Sequence, residues 1–425
     1  MTLLEKDAKY IWHPFTAQKN MPYPIAITHG KDSWLFDEQG NGYIDAISSW
    51  WVTIHGHANE TIAKAIYQQA MAIEQVIFAG FTHAPAVQLA EALLPLLPGN
   101  MHKIFYSDNG STSTEVALKM AVQFWWNKEG SHTKRTKILA FHNSYHGDTF
   151  GSMSVSDRSV FTTPFAPLFF DVVFIPTPKA DNLAETIATI TEHATELAAF
   201  IYEPLVQGAG GIQMYEAELL NQILEHCKSF EMICIADEVM TGFGRTGTMF
   251  ASEQLTAKPD IICLSKGLTG GTMALGITAC KQFIYDAFVS DDATKTFFHG
   301  HSFTANPLAC TAAFTSLQLF QQNHCLEKIK IITSWNQQLI ANITNLPGVI
   351  NARVLGTIAA FELQQSKNNY LSSIATQITQ YALSKGVFIR PLGNTVYIMP
   401  PYCITNTEYD KIVTVLLEII KDGYR

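Results

Sequence analysis

Two residues of this chain have the types and the placement to do covalent chemistry together, a lysine and an acid. The apolar run Ile233-Cys234-Ile235-Ala236 ends on Asp237-Glu238, and a second run, Ile261-Ile262-Cys263-Leu264, ends on Ser265-Lys266-Gly267. Each reads as a buried strand, and ligands of open α/β sheets gather at the carboxyl ends of strands, so Asp237 and Lys266 should face one crevice. A lysine beside a crevice is commonly solvated or ion-paired. In a partly dry site it can instead lose its proton and add to an aldehyde to form an imine. A carboxylate held against a ring nitrogen would keep that nitrogen protonated, so that the ring can draw off the electron pair left when a proton leaves a substrate carbon.

The spelling around the pair is distinctive. Ile235-Ala236-Asp237-Glu238-Val239-Met240-Thr241-Gly242-Phe243-Gly244-Arg245-Thr246-Gly247, followed by Pro259-Asp260-Ile261 and Ser265-Lys266-Gly267-Leu268-Thr269-Gly270-Gly271, resembles the class III, pyridoxal-phosphate-dependent aminotransferases over nearly the whole chain. The resemblance implies a fold-type I α/β enzyme with pyridoxal 5'-phosphate as cofactor. It implies a large cofactor-binding domain over residues 60–315 with a mixed, mainly parallel seven-stranded sheet. Residues 316–425 would form a smaller α+β domain, to which the N-terminal segment 1–59 contributes. It also implies a homodimer with shared active sites.

Roles follow from the same likeness. Lys266 is expected to hold the cofactor and move the substrate proton, with Asp237 on the ring nitrogen. Tyr145 matches the aromatic over one ring face, and Val239 would press the other. Gly110, Ser111 and Thr112 would grip the phosphate, and Ser302, on a loop that crosses to the neighbouring subunit, would complete that cradle there. Glu203 and Gln207 resemble residues that support the cofactor region. The substrate pocket is expected to draw on Phe15, Trp50, Trp51, Asp148, Gly300 and Arg390, the last clamping a carboxylate through its bidentate fork. Finer details look like those family members that aminate 8-amino-7-oxononanoate to 7,8-diaminononanoate in biotin biosynthesis, with S-adenosyl-L-methionine as donor. Phe15 stands where such members often have tyrosine, and His301-Ser302 where the pattern more often has Pro-Thr. These departures bear on the donor, leaving lysine as the alternative; a class III ω-aminotransferase acting on another diamine or ω-amino acid would keep Asp237 and Lys266 but need not use Trp50, Trp51 and Arg390.

The elements that must position these residues can be read from periodicity. A hairpin is expected from Ala26 to Asp45, turning at 37–42, and amphipathic helices over 60–72 and 86–97, the second closed by Pro98-Gly99. Lys103–Tyr106 reads as a strand leading into a helix whose Thr112 and Glu115 have capping-box spacing. The N-terminus of such a helix suits a phosphate. Lys137–Phe141 and Ala198–Tyr202 read as further strands, with helices over 181–197 and 216–230. A long helical pattern starts at Ala309, Ile358–Leu363 reads as a strand, and a final strand pair, Val387–Arg390 and Thr395–Met399, closes the smaller domain. If Trp50 and Trp51 sit on a strand they point to opposite faces, so at most one lines the pocket; a turn would loosen that limit.

Two competing motifs fail on context. Gly242-Phe243-Gly244-Arg245-Thr246-Gly247 satisfies the dinucleotide pattern, but five residues separate it from the strand and no helix opens after it. His142 and His146 have helical metal-ligand spacing, but Asn143 and Gly147 argue against a zinc helix, so no metal site is expected.

Composition narrows the class. With 425 residues, 47% hydrophobic and 15% charged, the chain can bury a large core over two to three domains. A net charge of −9 gives no basic footprint for nucleic acid. The seven cysteines are scattered and never spaced Cys-x-x-Cys, which reads as reduced core thiols of a cytoplasmic protein. No apolar run approaches a membrane span, and the first residues, with Glu5 and Asp7, show no signal peptide. Small-molecule substrates are therefore the expected partners.

Overall fold

The apolar runs of the central chain fold into one seven-stranded sheet in the spatial order Lys103–Ser107, Gly276–Cys280, Ile261–Leu264, Ile233–Asp237, Leu197–Tyr202, Lys137–Phe141, Val172–Ile175. The computed structural model describes residues 1–20, 23–364 and 373–422. All strands of this sheet run parallel except Gly276–Cys280, which is antiparallel to both neighbours. Leu197–Tyr202, Ile233–Asp237 and Ile261–Leu264 are buried at every position, because helices cover both faces and every side chain needs an apolar environment. The fold class expected from the sequence is the one observed.

The helix Gly110–Glu129 packs on the sheet through Val116, Ala117, Met120 and Phe124, and the indole N–H of its Trp125 donates to the Ala198 carbonyl at 2.9 Å. Its cap differs from the expected one. Asn109 accepts from Thr112 N at 3.0 Å and Thr112 Oγ1 accepts from Asn109 N at 3.1 Å, so the reciprocal pair is Asn109 and Thr112. Glu115, the expected member, instead accepts from Gly151 N at 2.7 Å.

Helices Glu60–Ala72 and Ala84–Leu93 match expectation, the second tightening into a 3-10 turn at Leu94–Leu96 because Pro95 has no N–H to continue the α ladder. The pattern from Ala309 becomes two helices, Pro307–Gln322 and Cys325–Ile343, parted at His324, whose φ of 51° is left-handed.

The N-terminal hairpin has a second turn. Ile27–Lys31, Trp34–Asp37 and Gly42–Asp45 form an antiparallel meander, reversing at Asp32-Ser33 as well as at 37–42. Asp37 fixes the latter turn by accepting from Gln39 N, Asn41 N and the Tyr43 hydroxyl at 2.8–2.9 Å.

The expected final strand pair separates into two sheets. Val387–Phe388 adds to the meander, parallel to Ile44-Asp45, whereas Thr395–Ile398 pairs with Ile358–Leu363, which in turn pairs with Val349–Leu355. One isolated bridge, Leu392 to Thr395, joins the two stretches, because Pro391 follows Arg390 and ends the first ladder. Among the described residues no helix is long and apolar enough to cross a membrane.

Candidate active site

The carboxyl ends of the parallel strands open on one pocket of about 680 Å³. Asp237 arrives from Ile233–Asp237, Lys266 from just beyond Ile261–Leu264, Glu203 from Leu197–Tyr202, Tyr145 from the loop after Lys137–Phe141, and Gly110 and Ser111 from the helix after Lys103–Ser107. The antiparallel strand begins at this rim, so Met273 and Ala274, which precede it, also join the wall.

Lys266 follows a strand immediately and must turn sharply. Its φ of 47° is left-handed, a conformation a residue with Cβ adopts only when its surroundings impose it. Ser265 Oγ donates to the Leu275 carbonyl at 2.7 Å and pins the turn from one side; Gly270 and Gly271, with φ of 62° and 81°, close it from the other. The side chain keeps some surface toward the pocket, but Nζ sits 4.5 Å from the centre of the Trp51 ring among protein atoms. Burial of the ammonium lowers the Lys266 pKa from 10.5 to about 8; Asp237 and Glu203 oppose that shift and Arg245 adds to it. A usable fraction of the amine is therefore neutral near pH 7–8, as an imine-forming nucleophile requires.

Asp237 is oriented on both oxygens. Oδ1 accepts from Val239 N at 3.1 Å and Oδ2 lies 2.7 Å from His146 Nδ1, while the carboxylate still faces the pocket. His146 is buried, and its Nε2 has no hydrogen-bond partner among the described residues. Its contact with Asp237 spans 91 positions, and no local pattern carries that signal. His142 points to a different acid, Asp157, at 3.3 Å.

Glu203 was expected only as a support. It lines the pocket, buried, with Oε1 accepting from Tyr145 N at 3.1 Å and Oε2 from Gly208 N at 2.8 Å. Burial raises its pKa to about 7, the nearby Asp237 adding to the rise, with His146 and the two N–H donors opposing it. Tyr145 is raised well above its ordinary range by burial and by its bond to Asp148, so it stays a neutral phenol. Gln207 sits one layer out, donating to the His142 carbonyl at 2.7 Å.

At the helix end, the absence of a side chain on Gly110 lets Val239 pack directly against the helix N-terminus: a Cβ there would lie 2.7 Å from Val239 Cγ1. Ser111 lines the pocket, its hydroxyl 2.8 Å from Thr149 Oγ1. Thr112 is turned back, its hydroxyl donating to Asp108 Oδ1 at 2.8 Å, and is not on the pocket wall.

Trp50 and Trp51 lie in a kinked turn, Ser48–Trp51, and not on a strand. Trp51 is buried on the pocket wall with Nε1 donating to the Tyr397 hydroxyl at 2.9 Å. Trp50 is exposed and stands outside that wall, 5.5 Å from the Phe15 ring, with the Arg390 guanidinium 4.8 Å from its centre. Asp148 reaches the pocket; Phe15 and Arg390 flank Trp50. Gly300 and Ser302 are exposed on their loop and do not line this chain's pocket, the Ser302 carbonyl accepting instead from Gln75 Nε2 at 2.5 Å. In the dinucleotide-like stretch the backbone turns at Gly244 and Gly247, with φ of 100° at each. Its Arg245 is buried, and the 3-10 turn that follows begins only at Ala251.

Residues 15–420 match the family model described as aminotransferase class-III. An adenosylmethionine-8-amino-7-oxononanoate aminotransferase from Synechococcus elongatus is 44% identical over 423 residues, covering 97% of this chain and 99% of that protein. The crystal structure of an enzyme of the same name from Methanocaldococcus jannaschii superposes with a TM-score of 0.94 at 34% identity, covering 99% of this chain and 98% of that one. An omega transaminase from Pseudomonas jessenii, in complex with PMP, superposes with a TM-score of 0.91 at 27% identity, covering 100% and 98%.

Proposed function

The chain belongs to the class III aminotransferases, and we propose that it aminates 8-amino-7-oxononanoate to 7,8-diaminononanoate in biotin biosynthesis, with S-adenosyl-L-methionine as amino donor and pyridoxal 5'-phosphate as cofactor. What carries the reading is that Lys266 and Asp237 end neighbouring strands of one sheet and share a pocket with Trp51, in a chain similar over its full length to enzymes of that activity.

The residues present suit this cofactor. A lysine with a depressed pKa, a carboxylate oriented on both oxygens, and a helix N-terminus whose Gly110 and Ser111 line the pocket suit its aldehyde, ring nitrogen and phosphate in turn. When bound, pyridoxal phosphate supplies the aldehyde that carries the amino group between donor and acceptor and the cationic ring that takes up the α-carbon's electron pair.

The chain's own residues do the rest. Asp237 holds the proton on the ring nitrogen, and His146 keeps that carboxylate aimed. Tyr145 and Val239 would fix the ring plane from its two faces; Gly110 and Ser111, which line the pocket, would present their backbone N–H groups to the phosphate, whereas Thr112 N is engaged by the Asn109 cap and Thr112 supports that end of the helix. Lys266 Nζ, a neutral amine facing the pocket, would be the base that moves a proton from the substrate's α-carbon to the carbon supplied by the cofactor's aldehyde, and the reverse in the second half-reaction. Trp51 excludes water above Nζ. Arg390, with Trp50 and Phe15, receives the far carboxylate of the acceptor, and Asp148 completes that end from this chain, while Gly300, on the same exposed loop as Ser302, would contribute to the neighbouring subunit's pocket. Ser302 serves the phosphate of the neighbouring subunit in a homodimer. The same reading takes residues 60–315 as the cofactor-binding domain, with 1–59 and 316–425 forming the smaller one. It also places the enzyme in the cytoplasm, a compartment that suits seven free thiols.

Mixing the purified yellow enzyme with each candidate donor tests the reading. S-adenosyl-L-methionine should bleach the visible band and lysine should not, and borohydride should fix the cofactor to Lys266. Bleaching by lysine alone would overturn the donor; a colourless protein after reconstitution would overturn the enzyme.

A further inference from the structure

Asp45 ends the strand Gly42–Asp45 and pairs in register with Phe388 of the parallel strand Val387–Phe388. From this pair the chain runs in two directions: forward from Asp45 into the Ser48–Trp51 turn, and from Phe388 two residues on to Arg390. Both walls of the proposed acceptor site thus leave the same platform. The turn delivers Trp51 to Lys266, at 4.5 Å, and Trp50 to Arg390, at 4.8 Å. The separation between the reacting amine and the carboxylate-binding guanidinium therefore depends on how this turn splits two adjacent indoles.

The turn does not hold that shape by preference. Ser48, Ser49 and Trp51 have φ of 54°, 60° and 67°, left-handed values that cost energy for any residue with a Cβ, and Ser49, with ψ of −95°, is also far from the left-handed helical minimum. Something outside the turn must impose it. Asp45, fully buried, accepts from Ile47 N at 3.2 Å on Oδ1, and on Oδ2 from Ser49 N at 2.6 Å, Ser49 Oγ at 3.3 Å and His57 Nε2 at 2.9 Å. From the opposite side Arg245 Nη2 donates to the Trp51 carbonyl at 3.3 Å, and Ser48 Oγ donates to the Met399 carbonyl at 2.8 Å.

We propose that Asp45 is a positioning residue that sets which acceptor length the site selects, by clamping the Ser48–Trp51 turn so that Trp51 stays on Lys266 while Trp50 stays on Arg390. This rests on the reading of Arg390 as the carboxylate-binding end. Asp45 touches neither reactant and acts through the two tryptophans.

The test uses Asp45→Asn, and Asp45→Ala combined with Ser49→Gly. Glycine takes a φ of 60° without a Cβ clash, so the double variant relieves the strain that the lost clamp had held and should fold. The first readout needs no cofactor: the pH dependence of acetic anhydride labelling at Lys266 in the apo chain. A loosened Trp51 admits water, and the labelling midpoint should move upward. The second is the loaded enzyme with the nine-carbon keto-amine and with analogues one carbon shorter and longer. KM for the nine-carbon acceptor should rise about tenfold with kcat within about threefold, and the preference for it over its neighbours should fall at least about fivefold, while the donor half-reaction, which senses the loosened Trp51 only through Lys266, falls by no more than about threefold. Unchanged length preference with an unmoved labelling midpoint would overturn the proposal, as would an equal fall in all rates, the donor step included. If the wild-type chain turns over no nine-carbon acceptor, the functional reading itself fails and the length claim with it; the labelling midpoint then reports separately on the clamp between Asp45 and Trp51.

Discussion

His146 Nδ1 lies 2.7 Å from Asp237 Oδ2, a buried contact between the loop after Lys137–Phe141 and the end of the strand Ile233–Asp237, across the intervening strand Leu197–Tyr202. A hydrogen bond to a charged group contributes roughly 1.5–3 kcal/mol, so His146→Leu should lower the donor half-reaction rate or cofactor affinity by about 10- to 100-fold while the fold persists. Stopped-flow absorbance and circular dichroism on the same sample check this. A wild-type rate would mean that Val239 N alone keeps Asp237 aimed.

Labelling of Lys266 in the apo chain should titrate with a midpoint near 8. The folded lysine releases its proton there and the unfolded one near 10.5, so the unfolded chain holds more protons between those values and apo stability rises with pH across that window. Replacing the amine by Lys266→Met should abolish the rise and stabilise the apo chain at neutral pH by on the order of 2 kcal/mol. Transamination should fall by about a thousandfold or more. Thermal melts at pH 7 and 10 decide the stability half of this.

Glu203 gives the opposite slope. Its folded pKa of about 7 lies above the ordinary 4.5, so the folded chain holds more protons between those values and stability falls as pH rises through them. Glu203→Gln should flatten the difference in melting temperature between pH 5 and pH 8. A variant that keeps the wild-type slope would assign that slope to another acid.

Gly110→Ala would place a Cβ 2.7 Å from Val239 Cγ1. Val239 must then shift toward the space the ring is proposed to occupy, and cofactor affinity should drop about tenfold or more with little loss of apo stability, as a spectroscopic titration would show. Equal affinity would show that Val239 has room to yield.

What the sequence made legible was local or covalently ordered. The strands ending at Asp237 and Leu264 announced themselves as apolar runs followed by polar residues, and with them came the edge of the sheet and the pairing of Asp237 with Lys266. The Asn109–Thr112 cap was missed because Thr112 and Glu115 satisfied the same spacing, and only the fold sends Glu115 to Gly151. His146 on Asp237, Arg245 on the Trp51 carbonyl and Tyr397 on the Trp51 indole join residues 91 to 346 positions apart, and no periodicity records them. Val387–Phe388 was placed beside Thr395–Met399 by proximity in sequence, whereas its actual neighbour is Ile44-Asp45.

That last pairing bears on biogenesis. A ribosome releases Asp45 long before Phe388, so the segment carrying both tryptophans waits for more than three hundred residues of synthesis before its parallel neighbour exists. The central sheet can consolidate from residues 103–280 during that interval. Competence to recognise an acceptor is therefore acquired last, and a nascent or prematurely terminated chain that ends short of Val387 would hold its reactive lysine beside an unfinished wall.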